Sequence, residues 1–216
     1  MNGFEFDAVP RLVLGYMTCE GLGFRVRLWN YNNAESVALT PAAPGAPTAA
    51  AHSLEMTVFD VEAVKAIANP VWAAALSGGY RVSYYKEQAS LTGGGSPSVK
   101  STFVGNGFTG AVDLHRRITE HFSLMTAPRA SLLMGDGDVV AGAVPQSPLN
   151  SGFDVRYVLE AQLGVSYERP IGNGVGFVRG GYEVQYWDDF VAAVGAQSDL
   201  SWTLFHGPFF AVGLQR

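Results

Sequence analysis

The stretch FDVRYVLEAQLGVSYE, Phe153 to Glu168, decides the fold. Its odd positions, Phe153, Val155, Tyr157, Leu159, Ala161, Leu163, Val165 and Tyr167, are all apolar or aromatic. Its even positions carry Asp154, Arg156, Glu160, Gln162, Ser166 and Glu168. A period of two puts successive side chains on opposite faces, so this is a strand with one greasy and one charged face. It is also long. A strand crossing a bilayer needs about 9–11 residues, whereas strands of soluble domains usually run about 5–6.

Composition agrees with a membrane strand. Charged residues make up 15% of the 216 residues, against roughly 25% in an average soluble domain. Only Lys65, Lys86 and Lys100 are lysines, too few for a water-facing barrel exterior. No apolar run reaches the length of a membrane helix, about 18 residues. The net charge of −5 argues against a nucleic-acid partner. The single cysteine, Cys19, excludes an internal disulfide and a cysteine metal cluster.

The alternation predicts nine strands: Val9–Met17, Gly21–Tyr31, Leu54–Ile67, Val71–Tyr85, Thr102–Ile118, Phe122–Gly135, Phe153–Arg169, Val175–Trp187 and Trp202–Gln215. Short turns at Cys19, Asn69, Glu120 and Gly172 close the hairpins. Between hairpins the expected loops are long, about 22, 16, 17 and 14 residues. Strict alternation of short turns and long loops is the habit of outer-membrane barrels. The fold expected is all-β, an antiparallel up-and-down transmembrane barrel forming one domain over residues 1–216.

The segments Pro10–Tyr16, Gly21–Trp29, Leu159–Val165 and Phe177–Trp187 resemble outer-membrane barrels of planctomycete-type bacteria, grouped with the Legionella major-outer-membrane-protein-like pore formers. The resemblance spans most of the chain and implies a bacterial outer-membrane location and a porin-like role. The chain departs from many such barrels in ending Gly213-Leu214-Gln215-Arg216, without a terminal aromatic residue.

With apolar faces toward lipid, parity assigns a lumen lining of Arg11, Arg25, Arg27, Arg81, Arg117, Arg129, Arg156 and Arg179. Facing them are Asp60, Glu62, Asp113, His115, Glu160, Gln162, Glu183 and Gln185. Arginine suits this place, because its rigid fork of donors bridges two carboxylates and stays charged. Arg156, Glu160, Arg179 and Glu183 are expected in one network. The lining has two readings. It is a structural network filling a narrow barrel, or a solute-selective pore whose excess of arginine favours anions.

Other function classes find less support. There is no nucleotide loop, no nucleophile elbow and no metal-ligand spacing, so no cofactor or metal is expected. A rim-active enzyme would draw on Asp188, Asp189 and His206. A soluble calyx binding a small ligand would carry apolar side chains inside. The partners expected are outer-membrane lipid and small solutes. Nine strands leave the first and last both running toward the short turns, and bacterial barrels have even strand numbers. The expectation is a ten-stranded natural barrel, with one upward strand preceding Met1.

Overall fold

Local turn chemistry sets the hairpins. Asn69 Oδ1 accepts the backbone N–H of Val71 at 2.9 Å and of Trp72 at 2.7 Å, an Asx turn that reverses the chain. Thr18 Oγ1 donates to the Leu22 carbonyl at 2.9 Å, and Thr119 Oγ1 accepts the Phe122 N–H at 3.1 Å. Gly172, at φ 58°, opens a two-residue turn with Asn173. A positive φ there strains any residue with a Cβ.

These turns link the strands of a computed structural model that describes residues 9–38, 40, 48–93, 98–142, 147–188 and 202–215. The strands are β1 (Arg11–Met17), β2 (Leu22–Ala38), β3 (Ala49–Ala68), β4 (Trp72–Thr92), β5 (Ser98–Arg117), β6 (Phe122–Thr126), β7 (Arg129–Gly142), β8 (Ser147–Ile171), β9 (Gly174–Asp188) and β10 (Trp202–Gln215). Every neighbouring pair is antiparallel and joined in sequence order.

β6 and β7 are one crossing with a pause. Both pair with β5 on one side and β8 on the other, and the register carries across the break between them, shifting only later in the β7–β8 ladder, between Val139 and Val140. The pause falls at Pro128, which has no N–H to give to the ladder. Its carbonyl still accepts from Val112 at 3.0 Å, and Ala127 donates to the Gln162 carbonyl at 2.9 Å. Among the described residues the sheet therefore has nine crossings, at the places the alternation predicts.

The strands run well past those predicted ends. The expected long loops over residues 32–53, 86–101 and 136–152 are mostly strand, because β2 to β5, β7 and β8 extend through them. Small residues there, such as Ala49, Ala51, Ser53, Ser90 and Ser98, alternate too weakly to announce a strand. On the other side the sheet is shorter. β1 reaches only to Trp29 of β2, and β9 only to Val158 of β8.

The sheet curls until side chains from its two edges meet on the inner face. Trp29 packs edge-on against Trp187 at 6.0 Å, and Tyr31 against Phe205 at 5.5 Å. Tight curvature demands close backbone approach. A Cβ on Gly79 or Gly181 would collide with the backbone of the adjoining strand, at Val61 and Leu163 respectively. Among the described residues β1 and β10 share no ladder. With nine alternating crossings, both run toward the short turns.

Candidate functional site

Parity places the arginine and carboxylate side chains of alternate strand positions on the inner face, and curvature brings distant strands within reach. Arg81 on β4 is fully buried. It grips Asp60 of β3 at 2.7 and 3.0 Å and reaches across to Glu160 of β8 at 2.6 Å. Arg27 of β2 lies between the same two carboxylates, at 3.5 and 3.8 Å. Arg129 of β7 pairs with Glu62 of β3 and donates to Thr109 at 3.0 Å. Glu62 also receives Arg25 at 2.8 Å, and Arg25 bonds Asp113 at 2.6 Å and Ser77 at 3.0 Å.

At the sheet's open side Arg11 forks onto Glu183 of β9 at 2.8 and 2.7 Å. Gln162 and Gln185 donate to the same carboxylate. A bidentate fork at two fixed distances orients both partners, which a lysine could not do. The result is one connected network of four arginines (25, 27, 81 and 129) with four carboxylates (60, 62, 113 and 160), and the Arg11–Glu183 pair completes the layer beside it.

Three expected members of the lining lie outside this central charged layer. Arg117 is exposed at the short-turn rim and donates to the Pro70 carbonyl at 3.2 Å. Arg179 lies toward the short turns, with its guanidinium 4.2 Å over the Phe177 ring. Arg156 lies toward the long connections, bonded to Asp154 at 2.8 Å and 4.2 Å over Phe103. Four residues along a strand is about 13 Å, so sharing a face with Glu160 and Glu183 does not place Arg156 and Arg179 beside them. The expected arginine excess in the lining therefore shrinks to balance in its central layer. His115 meets Ser123 at 3.4 Å close to the short-turn end of β5 rather than at mid-height.

Sequence reading missed a second inner layer. Beyond the charges, toward the long connections, lie Trp29, Leu54, Met56, Val58, Tyr85, Phe103, Leu133, Val158 and Trp187, all buried against one another. The signal was available, because each shares parity with the inner arginines and carboxylates of its own strand. Above this layer Tyr85 donates to Glu87 at 2.6 Å, and Glu87 pairs with His52 at 2.8 Å. That contact raises the His52 pKa, as does the charge of Glu35, against partial desolvation.

The enzyme candidates do not come together among the described residues. His206 points outward and bonds Tyr182 at 2.5 Å. Asp188 accepts from Tyr186 at 3.3 Å, and Asp189 lies outside the described residues. No group of three or more metal-ligating side chains occurs among the described residues.

Comparison with known proteins bears on the whole architecture. No curated protein and no solved structure matches the chain. The family described as Legionella pneumophila major outer membrane protein precursor matches residues 71–215, from the start of β4 to the last residue of β10. That match covers most of the chain, including the Leu159–Val165 and Phe177–Trp187 segments. The chain thus belongs to the family of the Legionella major outer membrane protein and is a protein of the bacterial outer membrane.

Proposed function

We propose that this protein spans the outer membrane as a small β-barrel plugged by its own side chains, with a structural role in the envelope. The observation that carries the reading is the buried meeting of Asp60, Arg81 and Glu160 from strands on opposite sides of the interior. Barrels of about eight strands have interiors that side chains can fill, while 16–18 strands leave a water channel. The apolar layer of Met56, Phe103 and Trp187 adds a second obstruction in series.

The outer face supports the spanning part of the proposal. Exposed Tyr16, Phe24, Trp72 and Phe122 ring the short-turn end. Tyr84, Tyr157, Tyr186 and Trp202 form a second ring, with Tyr157 and Tyr186 stacked at 5.7 Å. Between them lie Leu28, Val61, Leu76, Phe108, Leu132 and Leu159, all exposed. At strand rise and usual barrel tilt, the ten residue steps from Tyr157 to Tyr167 cover about 25 Å, the height of an outer-membrane apolar band.

The second reading is porin-like passage of small solutes, favoured by the charged character of the inner face. A soluble calyx fits poorly, because Asp60, Arg81 and Glu160 fill the middle of the inner face. The proposal assigns the protein no catalysis. Planar-bilayer recording of the refolded protein tests it. No unitary conductance steps are expected, and stable ohmic steps would establish the pore instead.

A further inference from the structure

The interior arginines and the rim cations are treated differently by the fold. Every arginine of the central layer has a carboxylate. At the short-turn end, Lys65 (β3), Arg116 (β5) and Arg169 (β8) point outward on the aromatic ring, with Arg117 beside them. None of these four pairs with a carboxylate among the described residues, although Glu20 and Glu120 sit in neighbouring turns. Lys65 donates instead to the backbone carbonyl of Glu20 at 2.9 Å. Arg116 lies 5.6 Å over the ring of its cross-strand partner Trp72.

The opposite rim has another balance. There the outward Lys86 sits 3.8 Å from Glu55, and Asp136 and Asp138 add exposed negative charge. With Lys100 also exposed on that rim, the outer face is cationic at one aromatic ring and of mixed, slightly acidic charge beyond the other.

Resting on the membrane-spanning reading, we propose that Lys65, Arg116 and Arg169, with Trp72, form a docking arc for anionic phospholipid headgroups in the leaflet at the short-turn end. A guanidinium laid on an interfacial tryptophan keeps its charge at headgroup depth while its stem covers apolar surface. Its donors are then free for phosphate oxygens, which arginine holds bidentately. Three such groups on one arc give an anionic lipid a preference on the order of threefold or more over a zwitterionic one. The preference weakens as salt screens it.

Electron spin resonance tests this with the whole protein in phosphatidylcholine vesicles containing a trace of spin-labelled phosphatidylglycerol or spin-labelled phosphatidylcholine. The wild type is expected to immobilise the phosphatidylglycerol probe threefold or more in preference, with the ratio falling as salt rises. The ratio should approach one in the Lys65→Gln, Arg116→Gln, Arg169→Gln triple variant. It should persist in Lys86→Gln, Lys100→Gln on the other rim. A wild-type ratio near one, a ratio indifferent to salt, or an unchanged triple variant overturns the arc while leaving the barrel intact. Immobilisation of neither probe overturns the membrane-spanning reading, and the arc with it. If the triple variant fails to insert, the wild-type salt titration decides alone.

Discussion

Along β3 the inner face reads Leu54, Met56, Val58 and then Asp60, Glu62, while the outer face reads Ser53, Glu55, Thr57 and then Phe59, Val61. The polarity of both faces inverts within one strand, between Val58 and Asp60. β2 does the same. Its Trp29 and Tyr31 point inward beside outward Asn30 and Asn32, whereas Arg25 and Arg27 point inward beside outward Val26 and Leu28. β4 repeats it, with Tyr85 inside and Lys86 and Gln88 outside, but Arg81 inside and Tyr80 and Val82 outside. The half toward the short turns is built for an apolar surround, and the half toward the long connections for water. One curled sheet thus solves two solvation problems with the same backbone.

The two halves should fail in different ways. The largest effect is expected in the charged half. Arg81→Leu removes the closest cation from buried Asp60 and Glu160, leaving only the longer contacts of Arg27 and Arg129, and breaking a buried pair in this way typically costs about 3–5 kcal/mol. Urea unfolding in lipid vesicles measures it, and a loss no larger than a surface change would mean that water reaches this layer. In the apolar half, Met56→Ala should cost about 2–5 kcal/mol through lost burial and the cavity left behind. The same assay would show a negligible loss if that half were not packed.

The outer faces separate the halves again. Leu159→Arg puts a charge in the apolar band and should cost about 2–4 kcal/mol near the midplane. Gln88→Arg, outward in the other half, should stay within about 0.5 kcal/mol. Equal costs at the two positions would erase the distinction. The smallest effect belongs to His52. Its pKa is raised in the folded state, so its pairing with Glu87 is fully stabilising below the unfolded value of about 6.5. The contribution fades as pH rises through the higher folded value. The His52 side chain is 48% exposed, so solvent screening holds the contribution under about 1 kcal/mol. Comparing unfolding midpoints of wild type and His52→Gln from pH 6 to pH 8 should show a small gap that closes with rising pH. A gap that widens would contradict the assigned direction.

The nine crossings were legible because short turns carry explicit chemistry at Asn69, Thr119 and Gly172, and because Phe153–Glu168 keeps one outward parity throughout. That strand misled as well as informed. Phe153 and Val155 stay apolar and outward, at 72% and 49% exposure, so β8 hides the inversion that β2, β3 and β4 display. Taken as a template, it predicts a uniformly polar inner face and leaves Met56, Phe103 and Trp187 without a place. The inner pairings were legible as a face but not as contacts. Parity identifies Arg156 and Glu160 as neighbours on one face, whereas the fold decides that Glu160 meets Arg81 three crossings away in the sheet. Pro128 interrupts a ladder without shifting its register, so the break between β6 and β7 left no trace in the alternation.

The edges β1 and β10 run in the same direction, and this has a consequence for association. Two copies lying in one membrane with a common orientation can only offer each other parallel edges. An antiparallel ladder with either edge requires a strand running from the short turns toward the long connections. A segment of that direction pairs with both edges at once, and one of the opposite direction with neither in antiparallel fashion. The backbone of these two edges, unpaired among the described residues, thereby discriminates between incoming strands by polarity, before any side chain is compared, and two like copies do not satisfy that polarity.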